Sequence, residues 1–291
     1  MANTQGLKRR IRSVGNTRQI TKAMEMVSAA KMRRVQEVAA KSRIYSDATI
    51  AVLRKLSGSV EAAHHPYFSP PASKAKLYVV FTSDSGLAGA YNSNVFNFAH
   101  AAFAEDASKG IEPQVIAIGR KGASHFSHGT NIRLVGEYEN MPDNPDVNIF
   151  ASLLEIMTSG ITNGEFSAVN LIYNEFRSTM NQKPVSLQLI PIATPDDSTE
   201  TENENEVVFE FEPTVESVLE EALKLYFESS LRRARIEAAA SEHAMRMMSM
   251  NNANRNAGEL IDNLTLELNA TRQAAITQEM AEIIGGANAI A

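Results

Sequence analysis

The chain has 291 residues, 44% of them hydrophobic, and 28 Lys and Arg against 34 Asp and Glu give a formal net charge of −6. This is too apolar for a disordered chain and too charged for a membrane-embedded one, and no apolar run approaches the ~20 residues that a bilayer-crossing helix needs. The absence of Cys excludes disulfides, thiolate metal sites and a cysteine nucleophile.

The opening stretch MANTQGLKRRIRSVGN is basic but lacks the apolar core of a secretory signal, so it is expected to stay on the folded chain. From Asn16 to Ser57 there is neither Gly nor Pro. Leu7, Ile11, Val14, Ile20, Met24, Val27, Ala30, Val35, Val38, Tyr45, Val52 and Leu56 recur mostly in steps of three and four, which predicts one long amphipathic helix. About 50 helical residues would reach roughly 75 Å. Gly58 is expected to stop it, and the Pro- and Ser-rich stretch up to Lys74 reads as a loop.

The pattern then changes to short elements. The continuous apolar run Lys76-LYVVFTS predicts a strand buried on both faces, followed by the small-residue turn SDSGLAGAYN and a helix over 93–108. A second buried strand is expected at 114–119, a short helix from Arg120, and a strand at Asn131–Val135. A helix over Asp146–Thr162 and strands at Ser167–Phe176 and Val185–Ile192 complete the set. Strands alternating with helices argue for an open α/β sheet, parallel in part. Residues 195–206, PDDSTETENENE, read as an acidic surface loop.

Pro213 stands where a last helix should begin, with Glu216, Glu220 and Glu221 in its first turns, favourable to the helix dipole. Positions 236, 240, 243, 247, 250, 254, 257, 261, 264, 268, 271 and 275 alternate steps of four and three, and 9 of these 12 are apolar. That is a coiled-coil seam with a few polar interruptions, on a helix of about 70 residues that would span roughly 105 Å. Gly285-Gly286 is expected to end it.

The fold class read from this pattern is α/β: an antiparallel coiled coil of the N- and C-terminal helices plus a central open, Rossmann-like α/β domain. The expected parts are the N-terminal helix (1–58), the α/β domain (74–195), an acidic segment (196–212) and the C-terminal helix with its tip (213–291). Helices this long cannot be covered by the residues between them, and an exposed apolar seam has to be buried. Antiparallel pairing of the two ends meets that need. The C-terminal helix outruns its partner, so the apolar tip IIGGANAIA implies a sleeve supplied by another protein.

Charge is strongly partitioned: residues 1–60 hold 13 basic and 3 acidic side chains, whereas residues 196–228 hold 1 and 12. Such blocks suit electrostatic partners. Lys8, Arg9, Arg10, Arg12, Arg18, Lys22, Lys31, Arg33 and Arg34 read either as solvated coiled-coil flank or as a track along an acidic partner. Nucleic-acid binding is a rival reading, but the interleaved aromatics are missing, since Tyr45 is the first aromatic residue.

An enzyme reading fares no better. Gly86-Leu87-Ala88-Gly89 follows a strand and precedes a helix, yet satisfies neither GxGxxG nor GxxxxGK[ST]. Its glycines are expected to serve close backbone packing, and no cofactor is placed there. His64, His65, His100, His125, His128 and His243 lack clustered carboxylates at metal-ligand spacing. His243 falls on the seam, where a polar residue is expected to fix register. Met245, Met247, Met248 and Met250 read as packing rather than as an adaptable binding face.

Three segments resemble one family, the gamma subunit of the F-type ATP synthase, its central rotor shaft. LKRRIRSVGNTRQITKAMEMVSAAKMRRVQ is similar to the family's first helix. The turn from Ser83 to Asn92 is similar to its SD-x-GL-x-G-x-x-N element, and ITQEMAEIIGGANA (Ile276 to Ala289) to its end motif. Ser85 stands where a basic or polar residue is common, Ala88 where Cys is common, and the chloroplast-type regulatory insert with its Cys pair is missing.

The resemblance implies a non-catalytic rotor without cofactor or metal. Its partners would be the alpha and beta subunits, the epsilon subunit and the membrane proteolipid ring. It would bind no nucleic acid and sit peripherally on the inner face of an energy-coupling membrane. Contacts with the hexamer would map onto Lys22, Met24, Arg272, Gln273 and Thr277, with Met24 and the C-terminal trio at one level. Ring contacts would map onto Phe211 and Glu212 of VFEFEP. The bearing tip would be Gly286, Ala287, Asn288, Ala289, Ile290 and Ala291.

Overall fold

The structure, a computed structural model, describes residues 2–56, 65–128, 132–192 and 214–290; for residues 2–3, 40–47, 54–56, 147, 215–216 and 286–290 it describes the backbone course alone. The elements in chain order are α1 (Ala2–Leu56), β1 (Ala75–Phe81), α2 (Tyr91–Ser108), β2 (Glu112–Ile118), α3 (Arg120–Ser127) and β3 (Arg133–Tyr138). A 3₁₀ turn (Val147–Phe150), α4 (Ala151–Thr162), β4 (Ala168–Ser178), β5 (Asn181–Ile190) and α5 (Val215–Ile290) follow. Helices α1 and α5 contain 55 and 76 residues.

The described chain forms two compact units, one made of residues 1–29 with 246–291 and the other of residues 30–245. In the larger unit five strands run in the order β3-β2-β1-β4-β5. The pairs β1–β2, β1–β4 and β2–β3 are parallel, and β4–β5 is antiparallel. A parallel sheet must be covered on both faces, which the continuous apolar runs of β1 and β2 reflect. On one face Tyr78, Val80, Val115, Ala117 and Ile172 pack with Val95, Ala99 and Phe103 of α2 and Ala123 and Phe126 of α3.

On the other face Leu77, Val79, Phe81, Ile116, Leu171 and Tyr173 pack with Leu153, Met157 and Ile161 of α4. The same core takes in Leu219, Leu223, Phe227, Leu231, Ala234 and Ala238 of α5, and Leu53 of α1. The first part of the long helix is thus the fourth helix of the sheet's cover. Val35 packs against Ile236, Ala239 and Ala240, so α1 pairs with α5 inside this unit as well.

The smaller unit is an antiparallel helix pair. Asn251 donates to Glu25 at 3.1 Å and Arg18 donates to Asn254 at 3.3 Å, so α5 descends as α1 ascends. Along α5 the seam positions 254, 257, 261, 264, 268, 271 and 275 are all buried or half-buried. Ala253 and Gly258 beside them are half-buried too, and the remaining positions from 255 to 274 are exposed. Position 243, also on that heptad, is 5% exposed.

Two expectations are corrected. The α1 stripe slips: Leu7, Val14, Thr21, Ser28 and Val35, seven residues apart, line the inner face, with Thr21 and Ser28 buried. Ile20 and Val27, expected inside, are 61% and 56% exposed, and Ala30 is exposed too. Small polar side chains let the two backbones approach, and Thr21 satisfies its hydroxyl on the Arg18 carbonyl at 3.0 Å. Nor does Gly285-Gly286 end α5, which continues to Ile290. Glycine only weakens a helix, by about 1 kcal/mol relative to Ala, and termination needs a further cap or breaker.

Candidate partner-binding surfaces

The antiparallel register decides what stays uncovered. Glu25 meets Asn251 and Arg18 meets Asn254, so residues near the start of α1 meet α5 near position 270. Beyond that level no described segment is left to cover α5. Ile276 is 48%, Met280 53%, Ile283 71% and Ile284 62% exposed, and every position from 276 to 285 is exposed. At spacings of three and four these four side chains form one apolar face. Left in water, each forgoes about 1.5–3 kcal/mol of burial.

Arg272, Gln273 and Thr277 lie at the edge of the same face, all exposed. The Thr277 hydroxyl donates to the Gln273 carbonyl at 3.0 Å. Met24 is half-buried beside exposed Ile20 and Val27. Lys22, two residues away, points to another side of α1, as any i, i+2 pair must, and bonds Glu25 at 3.1 Å. The Asn251 amide, with Lys22 beside it, holds the Glu25 carboxyl below its usual range.

Met24 does not share a level with Arg272, contrary to expectation. Its level is that of Asn251, about 30 Å further along α5 at 1.5 Å per residue. The candidate residues therefore form two bands rather than one. Phe211, Glu212 and Ala291 lie outside the described residues, and of Gly286, Ala287, Asn288, Ala289 and Ile290 the helical backbone alone is described. Lys8, Arg9, Arg10 and Arg12 are exposed and form no ion pair with a described residue, which leaves an unneutralised positive flank.

The crevice at the carboxyl ends of β1 and β4, where the strand order reverses, is the usual ligand position of such sheets. Here the turn's own side chains occupy the bonding positions. The Asn92 carboxamide accepts from the Ser83 amide at 3.0 Å and donates to the Ser83 hydroxyl at 2.8 Å. Asp84 accepts the backbone amides of Arg120 at 3.0 Å and Asn140 at 3.1 Å. The Ser83 amide is thus engaged by Asn92, its hydroxyl donates to the Ser85 carbonyl at 2.7 Å, and Asp84 ties the turn to the loops after β2 and β3. Leu87, 62% exposed with a φ of 62°, caps the turn. No group of three or more His, Cys, Asp or Glu suited to a metal occurs among the described residues.

A second polar cluster, invisible in the sequence, joins the loop after β3 to α5. Arg235, 5% exposed, donates to the carbonyls of Met141 at 2.6 Å and Pro142 at 3.0 Å, and to Asp143 at 3.2 Å. His243 meets the other oxygen of Asp143 at 2.8 Å. Arg232 donates to Asn144 at 3.0 Å, and Ser241 to the Asn174 carbonyl of β4 at 2.9 Å. Burial raises the affinity of Asp143 for its proton, but the His243 hydrogen bond and the charges of His243, Arg235 and Lys31 outweigh it and lower the pKa. His243 thus anchors the domain to the helix as well as occupying a seam position.

A sequence profile of the family described as ATP synthase matches residues 3–290. The ATP synthase gamma chain of Desulforamulus reducens is 38% identical over 290 residues, covering 100% of both chains. That of Anaeromyxobacter sp. is 38% identical over 293 residues with the same full coverage. Among solved structures, a chain of the central stalk and c-ring of the Tetrahymena thermophila mitochondrial ATP synthase superposes with a TM-score of 0.62 at 25% identity, covering 80% of this chain and 99% of that one. A chain of the Euglena gracilis mitochondrial assembly gives a TM-score of 0.70 at 17% identity, covering 99% and 95%, which bears on the fold.

Proposed function

Because the chain belongs to the ATP synthase gamma-chain family, we propose that its two exposed bands are the surfaces through which a rotor meets its stator. The protein is a non-catalytic central-stalk subunit of the F-type ATP synthase, a rotary shaft in the soluble F1 part of a membrane-associated complex. No described helix is long and apolar enough to cross a membrane. The relatives' names favour neither the nucleic-acid nor the nucleotide-enzyme reading.

The exposed apolar end of α5 carries the assignment of surfaces. An axle must turn without locking at one angle, and hydrophobic contact is non-directional, so Ile276 to Ala291 suit a bearing inside the alpha/beta hexamer. Arg272, Gln273 and Thr277 form the upper contact band, and Met24 with Lys22 the lower. Phe211 and Glu212 form the contact with the proteolipid ring, and the epsilon subunit rests beside the α/β domain. Proton flow turns the ring and the shaft with it. The shaft's unequal faces change the relative stability of states at the catalytic sites, which is a coupling free energy. The bacterial relatives support placement on the cytoplasmic side of a plasma membrane, with the mitochondrial matrix side as the organellar counterpart.

Met24→Lys in the assembled complex tests the lower band. It puts a new cation between Ile20 and Val27 and is expected to impair coupling of ATP hydrolysis to proton pumping more than it impairs assembly. Fully coupled pumping in this variant would remove Met24 from the contact. Co-purification with a large alpha/beta ATPase tests the partner assignment itself.

A further inference from the structure

The stretch of α5 that lies against the sheet is chemically odd. After Leu219, Leu223, Phe227 and Leu231, the apolar side chains that α5 adds to the sheet's core shrink to Ala234 and Ala238, while Ala239 and Ala240 pack with Ile236 against Val35 of α1. This later part of the contact therefore has few large knobs against the sheet to resist sliding or twisting. Interleaved with them are buried polar groups: Arg235, Ser241 and His243 are 5%, 0% and 5% exposed. Burying charge is unfavourable unless it is paired, and apolar side chains of the same size would pack the site at least as stably. What the polar groups add is direction.

We propose that Asp143 is the key that fixes the α/β domain to the long helix against torque. Its two oxygens take Arg235 at 3.2 Å and His243 at 2.8 Å, residues eight apart on one helix, so rotation or sliding of α5 has to break both bonds. The carbonyls of Met141 and Pro142 hold the same guanidinium, and Ser241 ties the helix to β4 from another element. A fork held by three acceptors has one angular position, whereas apolar contact is non-directional. Asp143 acts here as a positioning residue, and the inference rests on the rotor reading given above.

The test separates stiffness from stability. The triple variant Asp143→Leu, Arg235→Met, His243→Leu replaces the three bonded polar groups with apolar side chains of similar bulk. A bead is attached through Met180→Cys, an exposed position in a chain without native Cys, in the assembled and immobilised alpha/beta complex. The parent is expected to rotate under ATP. The triple variant is expected to keep its melting temperature, assembly and unloaded hydrolysis, but to lose torsional stiffness, read as broader thermal angular fluctuation, and to pump fewer protons per ATP against a gradient. Unchanged fluctuation in the triple variant overturns the key while leaving the rotor intact. A parent bead that never turns overturns the rotor reading instead. Should the triple variant fail to assemble, Asp143→Asn and Asp143→Glu are compared: partial recovery of stiffness by Glu alone is required, and equal stiffness in both overturns the key.

Discussion

Thr82 leaves no room for a β-carbon on Gly119: one built there would lie 2.3 Å from the Thr82 carbonyl oxygen, and the backbone φ of Gly119 is +99°. The two residues directly follow β1 and β2, and the Thr82 hydroxyl also takes the Gly122 amide at 2.9 Å. Gly119→Ala should therefore destabilise the chain by more than about 3 kcal/mol, through clash and backbone strain together. Gly86, in the turn that drew attention as a possible phosphate cradle, has nothing within 4 Å of its missing β-carbon. Gly86→Ala should stay within about 0.5 kcal/mol. Urea unfolding of both variants checks the contrast, and a mild Gly119→Ala would contradict the geometry.

Asp143 gives the domain an acid-sensitive contact. Its carboxyl is held below its ordinary value of 3.8, because the His243 bond and the Arg235 and Lys31 charges outweigh burial. A group whose folded pKa is depressed contributes stability that is complete above the unfolded value and disappears as pH falls through the folded value. As pH falls from the ordinary carboxylate value of 3.8 through the depressed folded value, the parent should thus lose stability more steeply than Asp143→Asn. At neutral pH the variant should already be weaker by about 2 kcal/mol, a figure moderated because the side chain is 32% exposed. Denaturant midpoints across that window decide the matter, and parallel acid limbs would contradict the assignment.

The seam predicts a sharp contrast between two leucines two residues apart. Leu264 is 4% exposed and Leu266 69%. Leu264→Ala should cost about 2–4 kcal/mol, whereas Leu266→Ala should change stability by no more than about 0.5 kcal/mol. Thermal unfolding of the isolated chain reads both. Equal losses would mean that the α1–α5 register is wrong.

These contrasts show where the sequence was readable. The α5 seam was legible because the alternation of four- and three-residue steps holds through Ile261, Leu264 and Leu268 and passes over Leu260 and Leu266, which are exposed. In α1 the same rule misled, since Ile20 and Val27 are more apolar than the Thr21 and Ser28 that turn inward. An apolar residue on a shaft can be reserved for a partner, and periodicity cannot tell that from burial within the chain. The strands were legible from their apolar runs, but the order β3-β2-β1-β4-β5 was not, because pairing depends on contacts far apart in sequence. The Asp143–His243 bond joins residues 100 apart and has no local signature. The false level assigned to Met24 and Arg272 has the same origin: only the Glu25–Asn251 contact fixes how far the helices overlap.

The end of α5 supplies the sharpest separation between folding and assembly. Ile283 and Ile284 are 71% and 62% exposed, so Ala at both positions should leave the melting temperature of the isolated chain unchanged. If the apolar face enters a sleeve, each truncation removes buried aliphatic area and should weaken association with the hexamer by about 2 kcal/mol, or roughly thirtyfold. Charge is the harsher probe. Ile283→Glu has to bring a carboxylate into that sleeve and should block stable assembly, while the free chain, its side chain already in water, unfolds as before. Association measured by subunit exchange, alongside calorimetric unfolding of the free chain, checks both arms. Undiminished assembly of Ile283→Glu would mean that this end of the helix remains in solvent inside the complex, and the bearing would have to be sought elsewhere on the shaft.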